Sequence, residues 1–227
     1  MEAWQFAREQ FDQHFRPLRD AGYELERVPG ARAYWELHET ALAAHFPREV
    51  FFALSRLRSE REVAGQARLA QARGGDPLYD FTVVRKSGEL AAMFCGEQRS
   101  DSVYRMWHTH VHPDQRRRGL YKRIVQATIA YTAALGFDTI TSEHAPCNNP
   151  IIVAKLRAGF RIVSLELDPV VGPALILRYF HNPEHLAAYE LRNGMATLTP
   201  ALREAGYDAF DELVRQFQRQ TVDAVGR

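Results

Sequence analysis

The sequence predicts an α/β (α+β) fold in which about seven short strands build a mixed, mainly antiparallel sheet flanked by helices, with further helices at both ends. Three observations predict it. Three β-type runs follow one another across short polar turns, Leu78 to Lys86, Glu89 to Gln98 and Ser102 to Val111, the spacing of an antiparallel meander. The third run leads through a basic turn, Arg116 to Gly119, straight into a helix with Leu120, Ile124, Val125 and Ile129 on an apolar face. Beyond Phe180 the pattern becomes helical only.

In chain order, Ala3 to Asp20 places Trp4, Ala7, Phe11, Phe15 and Leu18 at helical steps, with Pro17 bending or ending the helix. Tyr23 to Val28 alternates apolar and polar residues after Gly22 and reads as a first strand. Ala31 to Phe46 and Val50 to Arg73 are helices parted by Pro47, and Gly74 to Pro77 is a loop. After the meander and the helix Leu120 to Leu135 come a strand, Phe137 to His144, and a helix started by Asn149 as cap and Pro150, which ends at Gly159. Phe160 to Leu167 and Ala174 to Phe180 are the last strands. Pro183 to Arg192, a short helix from Thr199-Pro200, and a final one capped by Asp208 complete the chain. The expected organisation is an N-terminal helical extension, 1–22, a domain of ordinary size, 23–180, and a C-terminal helical extension, 181–227. The aromatic stripes of the extensions are expected to pack on the domain or on a second subunit.

Lys and Arg number 29 against 28 Asp and Glu over 227 residues, a net charge of +1, so no global basic field points to nucleic acid. Two cysteines, Cys95 and Cys147, make no disulfide framework. No apolar run reaches membrane-spanning length and the first residues lack a signal peptide's basic and apolar regions, so a cytoplasmic protein without membrane association is expected. A homodimer is favoured by base rates and by the tail helices.

The arginine turn is an anion site in elementary terms. The unpaired N–H groups of a helix's first turn and the positive end of its dipole face whatever fills the turn. Arg116, Arg117 and Arg118 add charge, and Gly119 lets the backbone come close. A solvated charge run is the alternative, and the position directly before a helix favours a phosphate-bearing ligand.

The string Val111 to Tyr121, V-H-P-D-Q-R-R-R-G-L-Y, resembles the acyl-CoA signature of the GNAT acetyltransferase family, R/Q-x-x-G-x-G/A after a V-x-P turn. A second block agrees: Asn148, then Gly159-Phe160, is similar to the family's N-x-x-A-x-x-x-Y-x-x-x-G-F segment. The chain departs from the family at Tyr121, where Gly or Ala is usual, at Arg117, and at Lys155, where the family often has the tyrosine that protonates the leaving thiolate. The resemblance spans roughly Tyr23 to Phe180 and implies a strongly twisted central sheet, with acetyl-CoA as co-substrate and an amine as acceptor. It implies that backbone N–H groups of Arg116 to Tyr121, Leu120 included, hold the pyrophosphate and that Thr109 and Val111 pair their backbone with the pantetheine arm. It also brings Asn148 and Lys155 to the cofactor, and leaves a gap between the strands ending at Val111 and His144 for the acetyl group.

Amide formation needs a base for the attacking amine, donors for the oxyanion and juxtaposition of the reactants. Glu143, five residues before Asn148, stands where some family members carry a glutamate base, in a segment similar to L-E-V; a solvated or salt-bridged strand glutamate is the alternative. His108 and His110 share one strand face, opposite Trp107, Thr109 and Val111, which are expected to face the core, and are further candidates for base or substrate ligand, with structural histidines as the alternative. His108, His110, Glu143 and His144 also allow a metal reading, but their spacing is not one of the strong zinc patterns and no metal is expected. Cys147 is expected to be a small buried residue rather than an acyl relay. Helix entry accounts for Asn148 as well as cofactor contact does. For Lys155 a helix-surface lysine is the favoured reading over an acid facing the thiolate in a dry site.

The expected function is therefore acetyl-CoA-dependent N-acetyl transfer directly to a primary amine of a small molecule or peptide, with a non-catalytic acyl-CoA-binding module as the alternative. No set of carboxylates marks a polyamine pocket. The aromatic first helices, with Tyr34, Trp35, Phe46, Phe51 and Phe52, would border the acceptor in this fold, which makes an apolar or aromatic amine conceivable.

Overall fold

The computed structural model describes residues 4–45, 77–168, 172–195, 198–205 and 215. The predicted helices Val50 to Arg73 and from Asp208 lie outside the described residues, Arg215 aside, as do Phe46, Phe51 and Phe52. Two compact units are present, Met1–Tyr179 and Phe180–Arg227.

In the first unit α1 (Gln5–His14) stops and α2 (Arg16–Asp20) restarts at once, because Pro17 has no N–H to continue the ladder. β1 (Glu24–Arg27) and α3 (Ala31–Ala41) follow, the latter continued by a 3₁₀ turn, Ala43–His45. The meander is β2 (Tyr79–Lys86), β3 (Glu89–Gln98) and β4 (Val103–Val111). A 3₁₀ turn, Pro113–Gln115, leads to α4 (Leu120–Ala134), then β5 (Thr139–His144), α5 (Asn149–Arg157), β6 (Arg161–Asp168) and β7 (Gly172–Phe180). The sheet runs β1-β2-β3-β4-β5-β7-β6, with β4 and β5 parallel and the pairs β1–β2, β2–β3, β3–β4 and β6–β7 antiparallel.

Each face of the sheet is covered. On one, Phe11, Phe15 and Leu18 of α1 and α2, with Leu120, Ile124 and Tyr131 of α4, bury against Val84, Phe94 and Tyr104. Phe11 and Phe15 stack at 4.1 Å between ring centroids, and Phe15 stacks on Phe94 at 5.2 Å. Each such buried ring contributes about 1.5–3 kcal/mol. On the other face Tyr34 of α3 and Leu42 pack on Phe81, Val83, Met93 and Cys95. Coverage on both faces explains why Ala91 to Cys95 is a continuous apolar run.

In the second unit Asn182 caps α6 (Pro183–Arg192) by accepting from Glu184 N at 2.9 Å, and Thr199 caps α7 (Pro200–Glu204) through Leu202 N at 3.2 Å. No described helix is long and apolar enough to cross a membrane.

Candidate active site

The basic turn is fixed by local backbone geometry. Gln115 N and Arg116 N close the 3₁₀ turn on His112 O and Pro113 O at 2.9 and 3.1 Å. Arg117 then takes a left-handed φ of 62°, and Gly119, at the N-cap of α4, one of 78°. A Cβ on Gly119 would meet open space, so the backbone angle, not crowding, favours glycine there. Among the described residues no side chain caps α4 and no acidic residue stands in its first turn, so the N–H groups of that turn have no internal competitor there. Arg116, Arg117 and Arg118 are exposed, and Arg116 Nε also reaches back to Val111 O at 3.3 Å. Leu120 is buried in the core and the half-buried Tyr121 packs against it, which pushes its hydroxyl pKa up; the tyrosine in place of the family's small residue turns inward.

β4 and β5 part company directly beside this turn. Their parallel register covers only Val103–Thr139, Tyr104–Ile140 and Arg105–Thr141, while β4 continues to Val111. A bulge coincides with the parting: Cys95 faces His108 and Gly96 faces Met106, so Trp107 has no partner on β3. Met106, Ser142, His144 and Lys155 are brought together at the opening. Ser142 Oγ donates to Met106 O at 3.4 Å and lies 2.9 Å from His144 Nε2. Lys155 is only 1% exposed; its Nζ donates to Met106 Sδ at 2.8 Å and stands 4.3 Å from the Phe160 ring centroid. This corrects the surface reading of Lys155: α5 turns it inward, and burial lowers its pKa to about 7. Burial, and then the Lys155 charge, hold His144 at about 3.

The bulge also corrects the expected facing of β4. Trp107 is 39% exposed instead of buried, with its ring 5.7 Å from Trp35 and 5.6 Å from the Arg105 guanidinium. Thr109 is half-buried, and Val111 lies in the core. His108 and His110 lie under α3, 7% and 4% exposed, where Tyr34 Oη is 2.7 Å from His108 Nδ1 and His38 Nε2 is 2.8 Å from His110 Nδ1. Burial, His110 and His38 hold His108 at about 2, so it is a neutral ring at any working pH. Glu143, half-buried, is ion-paired with Arg105, which also holds Glu97 at 3.2 Å.

Three further placements differ from expectation. Cys147 is exposed, whereas Cys95 is buried with its thiol pKa pushed up to about 12 by burial. Asn148, not Asn149, is the N-cap of α5, and its side chain makes no cap hydrogen bond. The histidine assembly recruits His38, so the set brought together is His38, His108 and His110, without Glu143 and His144. Its signal in the sequence is a histidine four residues after Tyr34 on the apolar stripe of α3. Arg105 carries no comparable signal.

A family model described as the acetyltransferase (GNAT) family matches residues 48–160. No curated protein matches the chain. Among solved structures, Ard1 from Thermoplasma volcanium is similar at 13% identity, covering 70% of this chain and 97% of that one, with a TM-score of 0.49. The ribosomal-protein-S18-alanine N-acetyltransferase from Escherichia coli is similar at 17% identity over 70% of this chain and 94% of its own, TM-score 0.48. A GNAT family acetyltransferase from Elizabethkingia anophelis with acetyl-CoA bound is 9% identical over 70% and 98%, TM-score 0.48.

Proposed function

The chain belongs to the GNAT acetyltransferase family, and from that premise we propose that it is an acetyl-CoA-dependent N-acetyltransferase that moves the acetyl group directly to a primary amine. The observation that carries this reading is the opening between β4 and β5, which begins beyond the Arg105–Thr141 pair and lies beside the uncapped start of α4. A gap ending at an anion seat fits a ligand with a thioester at one end and a pyrophosphate at the other.

In this reading Arg116, Arg117 and Arg118 and the N–H groups of Gly119, Leu120 and Tyr121 take the pyrophosphate. The backbone of Thr109 and Val111 pairs with the pantetheine amides, and Asn148 borders the arm. The thioester carbonyl lies at the bulge. The amine nitrogen attacks the carbonyl carbon, the C–S bond breaks, the ammonium proton passes to Glu143, and the departing thiolate takes a proton from Lys155. Arg105 supports the first role by orienting the Glu143 carboxylate through their ion pair. A proton donor with a pKa near 7 in a dry setting suits the second. Neutral, buried His108 is a poor acceptor of that proton. The acceptor side, with Trp35, Trp107 and two carboxylates around one guanidinium, suits an amine carrying an apolar or aromatic body.

Calorimetric titration with acetyl-CoA tests the reading. Wild-type protein should bind, and a variant with Arg116→Ala and Arg118→Ala should lose roughly tenfold or more in affinity. In an amine screen, Glu143→Gln should lower kcat/KM by about 10²–10⁴-fold with acetyl-CoA affinity unchanged. Absence of acetyl-CoA binding by the wild type, or a double variant that binds as well as wild type, would overturn the assignment.

A further inference from the structure

The three imidazoles beneath α3 are more than the acyl transfer asks for. His38, His108 and His110 are each at least nine-tenths buried, and one ring nitrogen from each lies within 4.8 Å of the other two. The ring centroids of His108 and His110 are 3.9 Å apart, those of His38 and His108 4.7 Å, and those of His38 and His110 4.8 Å. Among the described residues the ring nitrogens that converge come from three imidazoles. They are a poor filling for a core that takes Phe81, Val83 and Met93 next to them.

We propose that His38, His108 and His110 form a binding site for a borderline divalent transition-metal ion, Zn(II) in the first place, that fastens α3 to β4. A set of three imidazoles is that of a zinc site with one further position open to water or another donor. Zn–N bonds of about 2.0–2.1 Å place tetrahedral ligand nitrogens roughly 3.4 Å apart. Rotation of the rings about their side-chain bonds closes the wider gaps, which reach up to 4.8 Å, and opens the 2.8 Å one between His38 Nε2 and His110 Nδ1.

The surroundings orient the donors. The Tyr34 hydroxyl, packed beside Cys95 in the same cluster, lies 2.7 Å from His108 Nδ1. If it donates to the sulfur it accepts from Nδ1–H, which leaves the Nε2 lone pair bare. His108 Nε2 is buried and has no hydrogen-bond partner among the described residues. A hydrogen-bond acceptor on the far N–H of a ligand imidazole is the usual arrangement around a metal, and here the Tyr34 hydroxyl stands in that place. A single proton bridges His38 Nε2 and His110 Nδ1 at 2.8 Å, and an ion takes its place. Trp35, with its ring 4.9 Å from His108 and 5.5 Å from His38, closes the side.

Protein prepared without a polyhistidine tag, stripped with chelator and titrated with Zn(II), tests the proposal by calorimetry and elemental analysis. Roughly one ion per chain should bind, and Co(II) should give the intense visible absorption of a tetrahedral nitrogen site. His38→Ala should abolish saturable binding. Tyr34→Phe, which keeps the ring and removes only the hydroxyl, should weaken Zn(II) about 10–100-fold and guards against a variant that fails for lack of folding. Zn(II) should also raise the Tm of the wild type but not of His38→Ala. No saturable binding by wild type, or equal binding by His38→Ala, would overturn it. The site stands apart from the acyl-transfer reading, and acetyl-CoA titration of the same samples reports on that reading separately.

Discussion

Lys155 shows most sharply how burial shifts a titratable group. Along α5, Val153 and Leu156 are 42% and 39% exposed while the lysine between them is buried against Met106 and Phe160. Its folded-state pKa near 7 lies below the 10.5 of a free side chain, so between those values the unfolded chain binds more protons. Stability should therefore rise as pH rises from about 7 toward 10.5 and should be lowest below 7, where folding buries the charged form. Thermal melts across that range should show this slope in the wild type and a flatter one in Lys155→Met; parallel curves would place the amino group in water. The register of the family's second block identified the position, but an amphipathic pattern assigns lysine to the surface, and here the pattern is inverted. His38 was missed for the opposite reason, because a histidine among aromatic residues on a helix stripe looks like packing. Glu143 was legible as a strand carboxylate, but its partner Arg105, 38 residues away, was not.

At the scale of elements, the turn before α4 was legible because local sequence dictates it: Pro113 starts it, glycine closes it and a helix follows. Parity along β4 was not. A single unpaired residue, Trp107, puts Tyr104 and Met106 on the face of α4 and His108 and His110 on the face of α3, although all four carry even numbers. Period-two reasoning has no means of seeing such a bulge. The turn itself gives the next prediction. Valine at position 119 would have to adopt a φ of 78°, which costs a β-branched residue about 1–2 kcal/mol or forces the turn open. In Gly119→Val the acetyl-CoA dissociation constant should rise roughly tenfold or more, with only a modest fall in Tm because the position is exposed. Unchanged affinity in calorimetry would remove the turn from the cofactor site.

The whole first unit is tied together by one buried carboxylate. Asp80 on β2 accepts hydrogen bonds from the hydroxyls of Tyr104 on β4 at 2.9 Å and Tyr131 on α4 at 3.0 Å, and pairs with Arg27 on β1 at 2.6 Å. Burial raises its pKa, opposed by Arg27 and the two hydroxyls, so the group depends on all three partners. Gly96 belongs to the same assembly, because the Tyr104 ring lies where a Cβ on residue 96 would stand. No sequence pattern announces the network, since Arg27 and Asp80 are 53 residues apart, Asp80 and Tyr131 51, and an aspartate beside Tyr79 reads as the polar member of an alternating strand. The network holds α4, which follows the arginine turn, against the β4 that borders the opening, and it does so from the core outward. Asp80→Ala should therefore cost about 1–3 kcal/mol for each of the buried Tyr104 and Tyr131 hydroxyls it leaves unpaired, with less from Arg27, whose side chain is 32% exposed, visible as a drop in Tm and denaturant midpoint. Gly96→Ala should act in the same direction by displacing Tyr104. Melting temperatures of both variants within error of the wild type would mean that the sheet and α4 are joined by apolar packing alone.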